Sequence, residues 1–406
     1  MPGFKIWNIF DVINGKTQYK SFLNSTKHIN ELSKASGSFT TCPNGWRKLL
    51  SDSISIVSQS DEQGEFGLIK VGVVGFGYWG PRLVRNFSVA PGADMRIIAD
   101  FDPTRRALAC ETHPGVKVTE HFKDLLHGDD VDLIVIATPL SSHYELALAA
   151  LQAGRHVLIE KPIAATADET LRLIEAADRA NRMLMVDHTF VYTEAVRKIH
   201  ELIGSGNLGD IYYFDSVRVN LGLFQHDTNV IYDLAVHDLS IMDYVLPTMP
   251  TSVSATGTRH FTDQSENIAY LTLFSNDDTA ISHIHVNWLA PVKVRRTLIG
   301  GSRKMIVYDD LDQEQKIKVY DKGIEIAETP DDIRKLNVSY RVGDLWAPNL
   351  EMREALQTMV CHALDSINNS TAPITDGPTG LRIVRYLEAA DQSMKQNGVP
   401  VDIYQD

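Results

Sequence analysis

An α/β architecture, with an N-terminal doubly wound parallel sheet followed by a second α/β domain carrying a large open, mostly antiparallel sheet, is what the sequence predicts. Two observations carry that expectation. From Ile69 to about residue 190, short unbroken apolar runs alternate with amphipathic stretches; beyond it, strand-like runs with polar/apolar alternation follow one another in series. The length of 406 residues suits two domains and an appendage. With 44% hydrophobic and 22% charged residues the chain can bury sizeable cores, which argues against disorder.

Other function classes fall away on composition. A net charge of −13, from 39 basic and 52 acidic residues, argues against nucleic acid as a direct ligand. Cys42, Cys110 and Cys361 lie far apart in no metal-binding spacing, so neither a disulfide nor a metal is expected. No apolar run reaches the about 18 residues needed to cross a bilayer, and the N-terminus lacks the continuous apolar core of a secretory signal. The expectation is a cytoplasmic protein with no membrane partner.

Residues 1–67 show no sustained period and read as an N-terminal appendage, with helical stretches at TKHINELSKA and GWRKLLSDSISIV. Residues 68–190 read as a nucleotide-binding domain. Its strands are IKVGVVG, RIIAD, DLIVIATP, HVLIEKP and MLMVD; its helices include SSHYELALAALQAG, ending at Gly154, and TADETLRLIEAADRAN. Residues 191–406 read as a substrate-binding and oligomerisation domain. After one helix come DIYYFDSVRVN, SVSATGTRH, NIAYLTLFS, TAISHIHVNWL, KVRRTLIG, KMIVYDD and KIKVYD, then helices over about 350–368 and 379–395.

The first motif is VGVVGFGYWG, which places Gly75, Gly77 and Gly80 as GxGxxG where a buried strand turns into a helix. Glycine serves a tight turn first, close backbone approach to a pyrophosphate second, and helix–strand packing third. Phe76, Tyr78 and Trp79 complete that loop, and the helix N-terminus faces the phosphates. Asp100 ends the next strand, where a carboxylate accepts ribose hydroxyls and repels a 2′-phosphate, favouring NAD over NADP. Arg105 and Arg106 follow closely and can face a 2′-phosphate, which keeps NADP open.

Two further groups suggest chemistry. Lys161 follows a buried strand at the end of HVLIEKP, where its ammonium can polarise a substrate hydroxyl. The stretch DTNVIYDLAVHDLSIMDYVLP reads as one helix on which Asp233, His237, Ser240 and Tyr244 form a polar line. A histidine there is suited to take a hydroxyl proton, with Asp233 or Asp238 as its orienting partner.

Taken together, GFGYWG, ATP followed by SSHYELALAALQAGRHVLIEKP, and YDLAVHD resemble the Gfo/Idh/MocA oxidoreductases over roughly residues 69–402. The resemblance implies a Rossmann domain, an active site between it and an α/β domain, and NAD(P)-dependent oxidation of sugars, cyclitols or sugar nucleotides. It assigns catalysis to Lys161, His237 and Asp233, which also contact substrate, and it places Thr138, Pro139, His143, Glu160 and Lys161 near the nicotinamide and its ribose. Asp187, in VDHTFVYTEAV, stands where many relatives have a glycine-containing version.

The later segments HVNWLAPVKVRRTLIGGSRKMIVYDD, RVGDLWAP and DGPTGLRIVRYLEAADQS resemble the subgroup acting on nucleotide-linked sugars, such as UDP-N-acetylglucosamine 3-dehydrogenases and UDP-N-acetylglucosaminuronate oxidases. In that reading Arg295, with Lys293 and Arg296, answers a diphosphate, and Trp288 or Trp346 stacks on a base or sugar. The expected reaction is oxidation at C3 of a UDP-N-acetylhexosamine by a homodimer or homotetramer. A free-sugar or inositol dehydrogenase, an NADPH ketosugar reductase, an NAD-dependent glycosidase and a non-catalytic nucleotide-sensing regulator remain alternatives.

Overall fold

The computed structural model describes residues 67–404 apart from 129, 223–227, 262–264, 276–279, 327–337 and 352. The expected appendage, including Cys42 and its two helical stretches, lies outside the described residues except for Gly67. Gly67–Asp406 forms one compact unit.

The apolar runs of the first half become six parallel strands: β1 (Ile69–Val74), β2 (Ala93–Ala99), β3 (Lys117–Thr119), β4 (Leu133–Ile136), β5 (His156–Glu160) and β6 (Leu184–Asp187). They are ordered 3-2-1-4-5-6 with every pair parallel. All four residues of β4 and of β6 are buried, which is why those runs carry no alternation. β3 was not anticipated, because three partly polar residues give no periodic signal. The helices are α1 (Gly80–Val89), α2 (Pro103–Thr112), α3 (His143–Gln152) and α4 (Ala167–Ala180). Asp102 caps α2 by accepting from Thr104 N–H at 2.7 Å, and Thr166 caps α4. The strand order reverses between β1 and β4, so the loops after these strands flank a crevice at the sheet's carboxyl edge.

After α5 (Glu194–Gly204) the second sheet begins. Its nine strands are β7 (Ile211–Leu221), β8 (Ser252–Thr258), β9 (Ile268–Phe274), β10 (Ile281–Asn287), β11 (Leu289–Gly301), β12 (Met305–Asp309), β13 (Ile317–Ile326), β14 (Val338–Trp346) and β15 (Val401–Asp402). They are ordered 14-13-12-11-7-10-9-8-15, with β7 and β10 parallel and the other pairs antiparallel. The seven anticipated strand-like runs all became strands; β14 and β15 were not anticipated.

The stretch read as one helix over DTNVIYDLAVHDLSIMDYVLP is continuous helix from Ile231 to Val245, its first turn wound differently from the rest. Ile231–Ala235 is a π-helical turn and Val236–Val245 is α6. The last helices, α7 (Ala355–Asn369) and α8 (Gly377–Lys395), start close to where the sequence placed them. Leu356, Met359, Val360 and Ala363 of α7 share one core with Val71 and Val73 of β1 and Phe87 of α1. The end of the chain therefore completes the core of the first sheet.

Candidate active site

The glycine loop is explained by what a Cβ would meet. Gly75 has φ +92°, and a Cβ on it would lie 2.4 Å from the Ala137 carbonyl oxygen. On Gly80 a Cβ would lie 2.1 Å from the Gly75 carbonyl oxygen. Both glycines are required by the protein itself. At Gly77 the nearest atom to a Cβ is Arg105 Nη1 at 3.6 Å, so the protein leaves that position open on the side a pyrophosphate would take. That open cradle at the start of α1 is the observation that fits a dinucleotide.

The neighbouring side chains frame this cradle. Asp100 is buried, its Oδ2 accepting the Phe76 N–H at 2.6 Å and its Oδ1 the Asp102 N–H at 2.8 Å. It thereby ties the glycine loop to the end of β2. Phe76 is buried against His113, whereas Tyr78 is 70% exposed under the Arg82 guanidinium, with Trp79 edge-on beside it. Arg106 turns back to the Asp100 and Phe101 carbonyls and to Glu120. Arg105 lies 3.8 Å from Asp100, so of the two arginines it is the one beside the cradle.

Across the crevice, Thr138 and Pro139 follow β4. The Thr138 hydroxyl accepts from Ser142 Oγ at 2.8 Å. His143 is buried, its ring nitrogens 2.8 Å from the Pro162 carbonyl and 2.9 Å from that of Thr138. It holds together the loops after β4 and β5.

Lys161 follows β5 and points to the π-helical turn. Its Nζ donates to the Asp233 carbonyl at 2.8 Å and lies 3.4 Å from Asp233 Oδ1. The other oxygen, Oδ2, accepts the Trp288 indole N–H at 2.9 Å. A π turn breaks the i to i+4 ladder locally, and here the carbonyl it offers meets a lysine. The expected Asp233–His237 partnership is replaced: Asp233 is committed to Lys161 and Trp288. Asp238, the other possible partner, is buried in an ion pair with Arg218, with Arg218 Nε 2.7 Å from Oδ2. His237 instead packs against the Phe190 ring, centroids 5.0 Å apart, and its Nδ1 has no hydrogen-bond partner.

Sequence reasoning missed Arg218. It pairs with Arg295 across β7 and β11, putting both guanidiniums on one face, 4.4 and 5.3 Å from the Phe190 ring centre. Arg218 Nη1 and Arg295 Nε are buried and unpaired, and Arg295 also meets Asp310 at 3.2 Å. The signal was present: alternation along DIYYFDSVRVN gives Arg218 the parity of the buried Phe214 and Ser216. The same alternation sends Arg296, a neighbour of Arg295, to the opposite face. Trp288 is 1% exposed, so it positions Asp233 and does not stack on a ligand. Trp346 ends β14, away from these contacts in the chain order of the sheet.

Burial, with Lys161, Arg218 and Arg295 close by, holds His237 well below the usual histidine range. Burial likewise pushes His188 down to about 3. Both rings are therefore neutral in the fold at neutral pH. An unfolded histidine titrates near 6.5, so the unfolded chain takes up protons first and stability falls as pH drops below that value. At about pH 5 each such ring is expected to cost roughly 2 kcal/mol, read as a lower denaturant midpoint than at neutral pH. His188→Leu is expected to reduce that difference.

The comparisons with known proteins agree with this geometry. The family model described as "Oxidoreductase family, NAD-binding Rossmann fold" matches residues 69–188, and the GFO/IDH/MocA C-terminal domain matches 196–307, between them more than half of the chain. The chain belongs to the Gfo/Idh/MocA oxidoreductase family. It is 29% identical to an uncharacterized oxidoreductase of Streptococcus pneumoniae over 53% of this chain, a match spanning 62% of that protein's length. A scyllo-inositol 2-dehydrogenase (NADP(+)) of Bacillus subtilis is 25% identical over 81% of this chain and 94% of its own. An Agrobacterium radiobacter oxidoreductase, solved with NAD+, L-tartaric acid and magnesium, shares the fold with a TM-score of 0.69 at 19% identity, covering 83% of this chain and 98% of its own. As in that fold, this Gfo/Idh/MocA chain sets a six-stranded parallel sheet beside a C-terminal mixed sheet. Among the described residues no helix is long and apolar enough to cross a membrane, and no histidine, cysteine and carboxylate group is arranged to hold a metal.

Proposed function

We propose that this oxidoreductase removes a hydride from a secondary hydroxyl of a sugar nucleotide, at C3 of a UDP-N-acetylhexosamine, with NAD as acceptor. The observation that carries the chemistry is the Lys161 ammonium, held by the Asp233 carbonyl and carboxylate at the carboxyl edge of the first sheet. When bound, NAD supplies the hydride acceptor. Gly75, Gly77 and Gly80, with Phe76, Tyr78 and Trp79, form its phosphate loop; Asp100 and the Thr138, Pro139 and Glu160 edge take the two riboses. Lys161 polarises the reacting oxygen, and His237, kept neutral by burial and by its cationic neighbours, accepts the proton. The rate is therefore expected to be flat through neutral pH and to fall only well below the ordinary histidine value, a profile lost in His237→Ala.

The nucleotide-linked substrate is supported by Arg218 and Arg295 on the second sheet, whose unpaired N–H groups suit an anionic substituent. Trp288→Phe, which removes the donor to Asp233 and keeps the ring, is expected to lower kcat about tenfold with little change in NAD affinity. The test is a single-turnover trace of nicotinamide absorbance with UDP-N-acetylglucosamine, its uronate, free N-acetylglucosamine and inositol. Reduction only with UDP-linked compounds supports the reading. Reduction with inositol instead favours the second reading, a polyol dehydrogenase, to which the similarity with the scyllo-inositol enzyme points. We also propose self-association as a homodimer or homotetramer through the sheet face that carries Tyr270, His283 and His285, read by light scattering.

A further inference from the structure

We propose that the Glu160 and Asp187 carboxyl groups share a single proton, and that Asp187 is through this bond the positioning residue for Glu160 beside Lys161. The two residues end neighbouring parallel strands and are register partners, so their side chains leave the sheet on the same face. Both are buried, at 8% and 2% exposure. Glu160 Oε1 and Asp187 Oδ2 each lack a hydrogen-bond partner, whereas Asp187 Oδ1 accepts the Thr189 hydroxyl. Two bare acceptors side by side in a dry site are costly, and one proton between them satisfies both.

The surrounding groups set its place. Facing the pair are Lys161 after β5, and His188, Thr189 and Tyr192 after β6, with Thr375 bonded to Tyr192 ahead of α8. Lys161 is the one cation among them, and its ammonium already meets the Asp233 carboxylate, so it cannot offset two further buried charges. Burial and then the Asp187 charge push Glu160 well up. Burial raises Asp187 too, but the Thr189 hydroxyl supports its ionised form. The proton therefore sits on Glu160 Oε1 and is donated to Asp187 Oδ2.

Infrared spectroscopy of the intact protein reads the proton directly. A protonated-carboxyl stretch is expected near neutral pH in the wild type and absent in Glu160→Gln and in Asp187→Asn. No such band in the wild type, or an undiminished one in Asp187→Asn, overturns the shared proton. The positioning role is read from NAD affinity by calorimetry, with melting curves as the control for folding. Asp187→Leu is expected to weaken NAD roughly tenfold. Asp187→Asn, whose amide can still hold Glu160, is expected to recover most of that loss. Equal affinities in the leucine variant and the wild type overturn positioning. This second arm rests on the reading of Glu160 as a cofactor contact and the infrared arm does not: failure to bind NAD at all tells against the proposed function, a missing band against the pair.

Discussion

Lys161→Met is expected to lower kcat by about 10²–10³ while leaving NAD affinity within a few fold. In the proposed reaction the ammonium polarises the reacting oxygen, and losing one such donor from a site costs that much elsewhere. Methionine keeps the length and apolar character of the stem, so the β5 edge should stay packed. The change also frees the Asp233 carbonyl, which loses its donor at 2.8 Å, but Trp288 still holds the carboxylate. The measurement is the single-turnover absorbance trace, with NAD binding followed separately by calorimetry. Wild-type turnover in this variant would falsify the assignment of Lys161.

The second large effect separates two glycines of one motif. Gly77→Val should weaken NAD roughly 100-fold, the equivalent of one or two charge-assisted hydrogen bonds, with the melting temperature nearly unchanged. The reason is that the nearest protein atom to a Cβ there is an arginine tip at 3.6 Å, which can move. Gly80→Ala should instead destabilise the fold itself by about 3 kcal/mol, because its Cβ meets backbone at 2.1 Å. Thermal melts with and without NAD distinguish the two. A Gly77→Val protein that still gains stability from NAD as the wild type does would remove this loop from the cofactor site.

How much of this was legible in the sequence depends on range. The parallel sheet was readable because strands buried on both faces have no polar parity, and the glycine loop because its motif sits between a strand and a helix. Lys161 and His237 were singled out by position and by resemblance. What failed was partnership. A helical spacing of four suggested that Asp233 serves His237, but the π turn at 231–235 changes the local register and a tryptophan 55 residues later takes the carboxylate. Arg218 was overlooked, and Asp238 was weighed only as a partner for His237, because each is an ordinary charged residue until folding removes both from water together. The Glu160–Asp187 contact is likewise invisible in one dimension, since strand neighbours 27 residues apart carry no sequence signature of their pairing.

The return of α7 to the first sheet has a consequence for how the protein is made. Val71 and Val73 lie in a hydrophobic cluster whose remaining members include Met359 and Val360, almost 290 residues downstream. During synthesis at about 5–20 residues per second, the nucleotide-binding half is complete in sequence roughly 9–34 s before those side chains reach it. Over that interval one flank of its parallel sheet stays uncovered, a bare apolar surface open to chaperones or to a neighbouring nascent chain. A gene split after residue 190 should accordingly yield an insoluble first fragment that becomes soluble when the second is supplied in trans.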